Sequence, residues 1–370
     1  MTPKILFILH LPPPVHGAAM MGKYLQQSTL INGTFEADYI NLSTSKHLDE
    51  IGKGRIKKIF GFFQLQIKVV KALIKKDYDL CYMTLTAQGV GFYKDFFIVL
   101  LLKIFGKKII YHFHNKGVAA HQHKTIPNLL YKFTFKKTKS ILLSQFLYPD
   151  IEKYVSKEDV YYCPNGIPQT LQHAENEAMG LRHQPPFRIL FLSNMMAEKG
   201  VWTLLDACKI LKLQNEDFEC HFIGAWSDVS EANFRNWIET NAMSGHVFAH
   251  GKKYGSEKDQ YFKQANVFVF PTHYHNETFG LVNLEAMEYS LPVISTKEGG
   301  IPDVVLDGTT GFLVRKKDAV GLAEKIQFLI QNRSISEKMG EAGRKRFLNK
   351  FTLDKFEETI TGILATSAQN

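Results

Sequence analysis

Short apolar runs recur along the chain, separated by longer stretches with helical spacing. KILFIL at 4–9, ADYINL at 37–42, DLCYMTL at 79–85, KIIYHFH at 108–114 and SILLS at 140–144 are short and rich in β-branched and aromatic residues. Such runs predict strands. Amphipathic or apolar helices are expected between them, near 18–30, 56–76, 92–105 and 126–137. Strands alternating with helices imply a parallel sheet covered on both faces. The rhythm pauses at VYYCPNGIPQT, 160–170, and at the polar stretch HAENEAMGLRHQPP that follows. It restarts with FRILFLS at 187–193, a helix from about 200 to 213, FECHFIG at 218–224, a helix near 230–241 and HVFAHG at 246–251. NVFVF, PVIST and GFLV supply further strands, and helices near 318–331, 335–347 and 353–365 close the chain.

This pattern predicts two α/β domains facing across a cleft. The first covers 1–168 and the second 169–351, with the C-terminal helix, 352–370, free to pack back on the first. A length of 370 residues agrees, since single cores stop growing well below that size. Within the second domain one unit stands out. The strand NVFVF ends at Pro271, and ETFGLVNLE, residues 277–285, then opens a helix that Pro292 stops before PVIST. Polar residues therefore gather where a strand ends and a helix begins, which is where open α/β sheets bind ligands. The amides of Phe279, Gly280 and Leu281 stand at the positive end of the helix dipole and suit a diphosphate. Glu285, one turn into the helix, is placed to accept hydrogen bonds from ribose hydroxyls, and Glu277 to reach a bound sugar.

Charge sharpens the division. The first 174 residues hold 23 Lys and Arg against 11 Asp and Glu, or +12, whereas the remainder holds 22 against 25, or −3. The basic half favours an anionic partner. RIKKIFGFFQLQIKVVKALIKK, 55–76, mixes lysines with Ile, Phe, Leu and Val at near-helical spacing and predicts a helix lying in an anionic membrane interface. KDFFIVLLLKIFGKK, 94–108, has too short an apolar core to span a bilayer and reads as a buried helix. Nucleic acid is not expected as a partner, because no binding motif accompanies the charge. Cys81, Cys163, Cys208 and Cys220 are widely spaced without a CxxC, so neither a disulfide framework nor a cysteine zinc site is implied. The N-terminal MTPKILFILHLPPPVHG lacks a small-residue cleavage site and reads as a first strand, in keeping with a cytoplasmic location.

SNMMAEKGVWTLLDA, NETFGLVNLEAMEYSLPVIST and GGIPDVVLDGTTGFLV, in that order, resemble successive signatures of family 4 glycosyltransferases, retaining enzymes of the GT-B fold with two Rossmann-like domains. The likeness covers nearly all of 187–315 and is weaker in the first domain. It implies a nucleotide-sugar donor, UDP- or GDP-linked, held mostly by the second domain. It also implies transfer with retention onto a hydroxyl of a glycan or lipid-linked acceptor, and a reaction needing no cofactor or metal. A bacterial envelope polysaccharide is the implied setting, with the protein at the inner face of the membrane.

The resemblance also assigns residues. Lys199 of EKG matches the family lysine on the diphosphate, and Glu277, with Thr278, Phe279, Gly280, Leu281 and Glu285, forms the donor-binding unit. Where the family has an arginine five residues before the lysine, this chain has Asn194, so more of the diphosphate charge falls on Lys199 and the helix amides. Gly251, closing HVFAHG, joins the donor set. In the first domain, Gly17 with Ala18 and Ala19 resembles the family's glycine-rich turn after the first strand, with the usual pair of glycines reduced to one. His114 matches the histidine placed near the sugar, while His112 fits a core position equally well. Asn165 and Gly166 match the NG turn joining the domains, although Pro168 stands where an aspartate often follows.

Glu277 fits either a nucleophile of double displacement or a neighbour of front-face transfer, the latter being the expectation. The pairs His112/His114, His121/His123 and His273/His275 have no third ligand at a convincing spacing, so no metal site is expected. A sugar-nucleotide-binding protein without catalysis and a GT-B epimerase are the alternatives.

Overall fold

The structure, a computed structural model, describes residues 2–13, 15–43, 55–170 and 184–369, and of 55–60 the backbone alone. The polar stretch 171–183 at the expected domain boundary lies outside the described residues. The chain divides into two compact units, Met1–Asn165 with Leu353–Asn370, and Gly166–Thr352. The boundary expected after residue 168 moves to 165/166. Ile167 donates its N–H to Phe351 O at 3.0 Å and bridges Thr352, which ties it to the second unit.

In the first unit six parallel strands, β1 (Lys4–Leu9), β2 (Glu36–Asn41), β3 (Leu80–Met83), β4 (Ile109–Phe113), β5 (Lys139–Leu142) and β6 (Val160–Tyr162), lie in the order β2-β1-β3-β4-β5-β6. Ile5 of β1 pairs with Ala37 on one side and Leu80 on the other, so the order reverses at β1. β6 occupies the segment where the sequence pattern paused. Its three residues are too few to produce a readable run. The helix expected at 18–30 is two helices, Gly17–Gln27 and Thr29–Thr34. They part at Ser28, whose Oγ accepts the Ile31 N–H at 3.2 Å and so caps a new helix. The C-terminal helix Leu353–Gln369 places Phe356, Ile360 and Leu364, four residues apart, in one core with Phe7, Leu25, Ile31 and Tyr82.

One expectation is overturned here. Helix Gly89–Ile104 is not buried. Phe92, Asp95, Ile98, Val99 and Leu102 face inward, but Val90, Tyr93, Phe97 and Ile104 are exposed. A helix apolar all round reads as buried from its sequence, and here no further layer among the described residues of the unit covers its outer face.

In the second unit β7 (Phe187–Leu192), β8 (Phe218–Ile223), β9 (Val247–Ala249), β10 (Val267–Phe270), β11 (Val293–Thr296) and β12 (Gly311–Val314) form a parallel sheet in the order β12-β11-β10-β7-β8-β9. The strands are mostly apolar because helices cover both faces, and the exceptions, Arg188 of β7 with Glu219 and His221 of β8, are part-exposed and pair with one another. Phe187, Phe191, Phe222, Val267 and Phe268 are all essentially buried, each contributing roughly 1.5–3 kcal/mol by leaving water. Helix Gly255–Gln264 was not expected, since in GSEKDQYFKQ only Phe262 is buried. Among the described residues no helix is long and apolar enough to cross a membrane.

Candidate functional site

Strand order locates the site before any side chain does. From β7 the chain runs outward through β8 and β9, then returns to lay β10 on the other side of β7. The crevice of an open α/β sheet forms where connections part in this way, at the carboxyl ends of the two strands. The loops after β7 and β10 carry Lys199 and Glu277.

These loops are locked together by backbone. Ala197–Lys199 forms a single 3-10 turn and Gly200, at φ 92°, starts the helix Val201–Leu213. A Cβ on Gly200 would stand 2.3 Å from Pro271 O, so the close approach admits only glycine. Glu198 O accepts the His273 N–H at 2.7 Å, and Tyr274 O accepts the Glu277 N–H at 2.8 Å. From β11, Gly299, at φ 53°, packs so tightly that a Cβ would lie 2.3 Å from Glu277 O, and the Gly300 N–H donates to Thr278 O at 2.8 Å. Gly299 and Gly300 thus serve contact with protein backbone.

Held in this way, Glu277 Oε2 accepts from Lys199 Nζ at 2.7 Å, with side-chain exposures of 11% and 16%. The ammonium lies 4.5 Å from the centre of the Tyr274 ring and 5.6 Å from that of Phe270, a cation–π setting. Thr278 and Phe279 are buried, the latter edge-on to Phe351. Gly280, at φ 69°, caps the helix Leu281–Glu288, whose first amides have no partner within a helix. One turn on, Glu285 pairs with Lys258 at 2.7 Å.

Of the other expected donor residues, Asn194 is exposed just past β7, its carbonyl accepting the Met196 N–H at 2.8 Å. Gly251 follows β9, and its carbonyl accepts the Gly224 N–H at 2.9 Å. Asn194, Lys199, Gly251, Glu277 to Leu281 and Glu285 therefore all lie at one edge of one sheet, the carboxyl edge.

The same edge holds residues the sequence did not single out. Buried Glu298, after β11, pairs with Lys316, after β12, and accepts its neighbour Gly299's N–H at 3.1 Å. Lys316 was hidden within the RKK run at 315–317. Lys258 sits on the unexpected polar helix. Tyr274 had no motif to mark it.

Gly17, His114 and Asn165 belong to the first unit. Helix Gly17–Gln27 is capped by His16, whose Nδ1 accepts the Ala19 N–H at 3.3 Å, so one amide at this helix start is already served. Further along the helix, a Cβ on Gly22 would meet His10 O at 2.0 Å, so the helix packs there directly on backbone. His114 follows β4 with its ring centre 4.3 Å from that of His112. Burial, and then His16, pushes the His114 imidazole down to about 3. His112 is a core residue bonded through Nδ1 to Tyr82 OH at 2.6 Å. Burial also pushes His10 down to about 3, with Lys94, His16 and His114 adding to the effect. Asn165 is buried at the end of the unit. Among the described residues no group of three His, Cys, Asp or Glu is arranged to hold a metal ion.

Residues 173–346 match the family model described as "Glycosyl transferases group 1". The capsular polysaccharide biosynthesis glycosyltransferase CapM of Staphylococcus aureus is 34% identical over 180 residues, 49% of this chain and 46% of that protein. The chain thus spans under half the length of this curated relative. Sucrose-phosphate synthase of Thermosynechococcus elongatus superposes with a TM-score of 0.74 at 20% identity, covering 98% of both chains. HepE of Anabaena in complex with UDP gives 0.75 at 17% identity, covering 98% of this chain and all of that one. The two parallel six-stranded sheets are those of the GT-B fold, and the match at residues 173–346 makes this part of the chain similar to glycosyltransferases of group 1.

Proposed function

We propose that this chain is a retaining glycosyltransferase that moves a sugar from a nucleotide-sugar donor to a hydroxyl of a glycan or lipid-linked glycan, in the synthesis of a cell-envelope polysaccharide. The observation that carries this reading is the Lys199–Glu277 pair at the switch point of the second sheet, beside the start of helix Leu281–Glu288. Lys199 and the helix amides stabilise the departing diphosphate. Charge that develops in a desolvated site facing fixed donors is stabilised without reorganisation, which supplies most of the acceleration in such reactions.

Glu285 binds the ribose once Lys258 releases it or shares it. Glu277 lies beside the donor sugar, its carboxylate held by Lys199. In front-face transfer the bond from the anomeric carbon to phosphate oxygen breaks as the bond to the acceptor oxygen forms. The acceptor's proton then passes to the departing phosphate. No protein nucleophile is required, and Glu277 stabilises the positive charge on the sugar. HepE in complex with UDP supports a uridine nucleotide as donor, and the name of CapM supports a polysaccharide product.

Asn194 motivates a second reading, a sugar-nucleotide-binding protein without transfer. Incubating the purified chain with UDP- and GDP-sugars and a membrane lipid extract separates the two. Transfer of labelled sugar, lost in Lys199→Ala, supports the enzyme, whereas donor binding without transfer across the panel supports the binding protein.

A further inference from the structure

The first unit carries a large apolar surface that none of its described residues covers. Helices Arg55–Lys75, Gly89–Ile104 and Thr125–Phe135 lie side by side, joined by ring contacts of Phe62 with Phe97 at 5.5 Å and Phe96 with Phe133 at 5.6 Å. Each buries one stripe and exposes another that is also apolar. On the first helix Leu65, Val69 and Leu73 are buried, while Phe63, Ile67 and Ile74 (72% exposed) face out. Val90 (86%), Tyr93, Phe97 (49%) and Ile104 (68%) do so on the second, and Ile126, Leu129 (67%) and Phe133 on the third. The spacings i, i+3 or i+4, and i+7 make each set a continuous stripe. Ten large apolar side chains on three adjacent helices form a patch of a kind that single scattered residues do not, and such patches mark interaction sites.

Among the described residues the exposed charges on these three helices are all basic. The three helices carry a single acidic residue, Asp95, and it is buried. Exposed Lys68, Lys71 and Lys75 form a fourth stripe on the first helix, beside Ile67 and Ile74. They line a cavity of about 640 Å³ against the edge strand β2. The carboxylates on that wall, Glu36 and Asp38, are taken by Lys76 at 2.7 Å each, and Tyr78 OH also donates to Asp38. Lys132, Lys136 and Lys137 stand exposed at the other end of the patch. A second copy of the chain, docked by the same surface, would set these lysine rims against each other. An anionic surface with an apolar interior satisfies both features.

We infer that this three-helix face docks on a bilayer bearing anionic headgroups, with the apolar stripes entering the interface and the lysines of the 68–75 stripe engaging lipid phosphates. The surface extends the basic segment at 55–76 to two helices whose sequences carry no basic amphipathic signature. Each lysine near such a surface is worth on the order of a fivefold change in partitioning.

Flotation of the full chain with phosphatidylcholine vesicles, with and without phosphatidylglycerol, tests the inference. Binding is expected only with phosphatidylglycerol and is expected to weaken with salt. The triple change Lys68→Glu, Lys71→Glu, Lys75→Glu should reduce it about a hundredfold or more, by the same per-lysine factor. Phe97→Asp with Leu129→Asp, both at exposed positions, should abolish it while thermal melting stays at the parent value. Absence of binding to anionic vesicles, or equal binding to neutral ones, overturns the inference. So does a concentration-dependent dimer that Phe97→Asp dissociates, which would give the face to a second copy.

Discussion

Lys199 and Glu277, 78 residues apart in sequence, meet at 2.7 Å across the switch point of the second sheet. Each is the other's counter-charge. Under the proposed function a diphosphate entering beside Lys199 would compete with Glu277 for the same ammonium. This relationship separates the two residues experimentally. Lys199→Ala should lower kcat by about 100- to 1,000-fold, the usual cost of removing one preorganised donor. Glu277→Gln should abolish transfer to a similar degree yet bind UDP more tightly, by up to about tenfold, because a negative charge a few ångströms from the diphosphate is gone. Steady-state kinetics with isothermal titration of UDP provides the check. Weaker UDP binding by Glu277→Gln would contradict the competition.

Backbone contact between loops sets the geometry of that pair, so glycine substitutions should act at a distance from the ligand. In Gly299→Ala the residue is at φ 53° with its new Cβ 2.3 Å from Glu277 O. Strain at such a position costs about 1–3 kcal/mol. The thermal midpoint should fall by several degrees and transfer should drop with it, as Glu277 is displaced. Unchanged kinetics in a destabilised Gly299→Ala protein would show that Glu277 holds its place without this contact.

Glu288, the last residue of the helix that carries Glu285, is buried and accepts from Thr170, through its hydroxyl at 2.9 Å and through its backbone N–H. Its backbone carbonyl also accepts from Arg344. Charge-assisted bonds of this kind contribute about 1.5–3 kcal/mol each. Glu288→Ala should lower stability by about 2–3 kcal/mol in urea unfolding, with Glu288→Gln recovering a large part because it keeps an acceptor.

Acid should destabilise the first unit through its histidines. Burial holds His112 well below its ordinary range, reinforced by His114, and brings His10 and His114 down to about 3. A group whose folded pKa is depressed stabilises the fold above its unfolded pKa, near 6.5 for histidine. Below that the unfolded chain takes up protons that the folded one refuses, and stability falls by up to about 1.4 kcal/mol per pH unit for each such histidine. The loss should begin near pH 6.5 and continue toward 3. Urea unfolding between pH 5 and 8 should show this slope, reduced by one proton equivalent in His114→Gln. A flat profile would mean the histidines are hydrated in the folded state.

Local pattern made much of the molecule legible. Runs such as KILFIL, FRILFLS and NVFVF are strands because β-branched and aromatic residues fill a surface covered on both faces, and ETFGLVNLE opens a helix where glycine allows the turn. Single-element signals failed where burial was uneven. GSEKDQYFKQ is a helix with one buried side chain, and Gly89–Ile104 is apolar on a face that nothing among the described residues of its unit covers.

The sequence by itself determined the parallel α/β character, most of the succession of strands and helices, and the place of Lys199 and Glu277 in loops after strands and of Glu285 one turn into the helix that follows. Tertiary structure alone decided that Lys199 faces Glu277, that Lys258 and Lys316 answer Glu285 and Glu298, and that Gly299 is needed beneath Glu277 O. The reason is one of range. Propensity and periodicity act over a few residues, whereas these pairings are fixed by strand order, which places β7 beside β10 across a sequence gap that no local signal bridges.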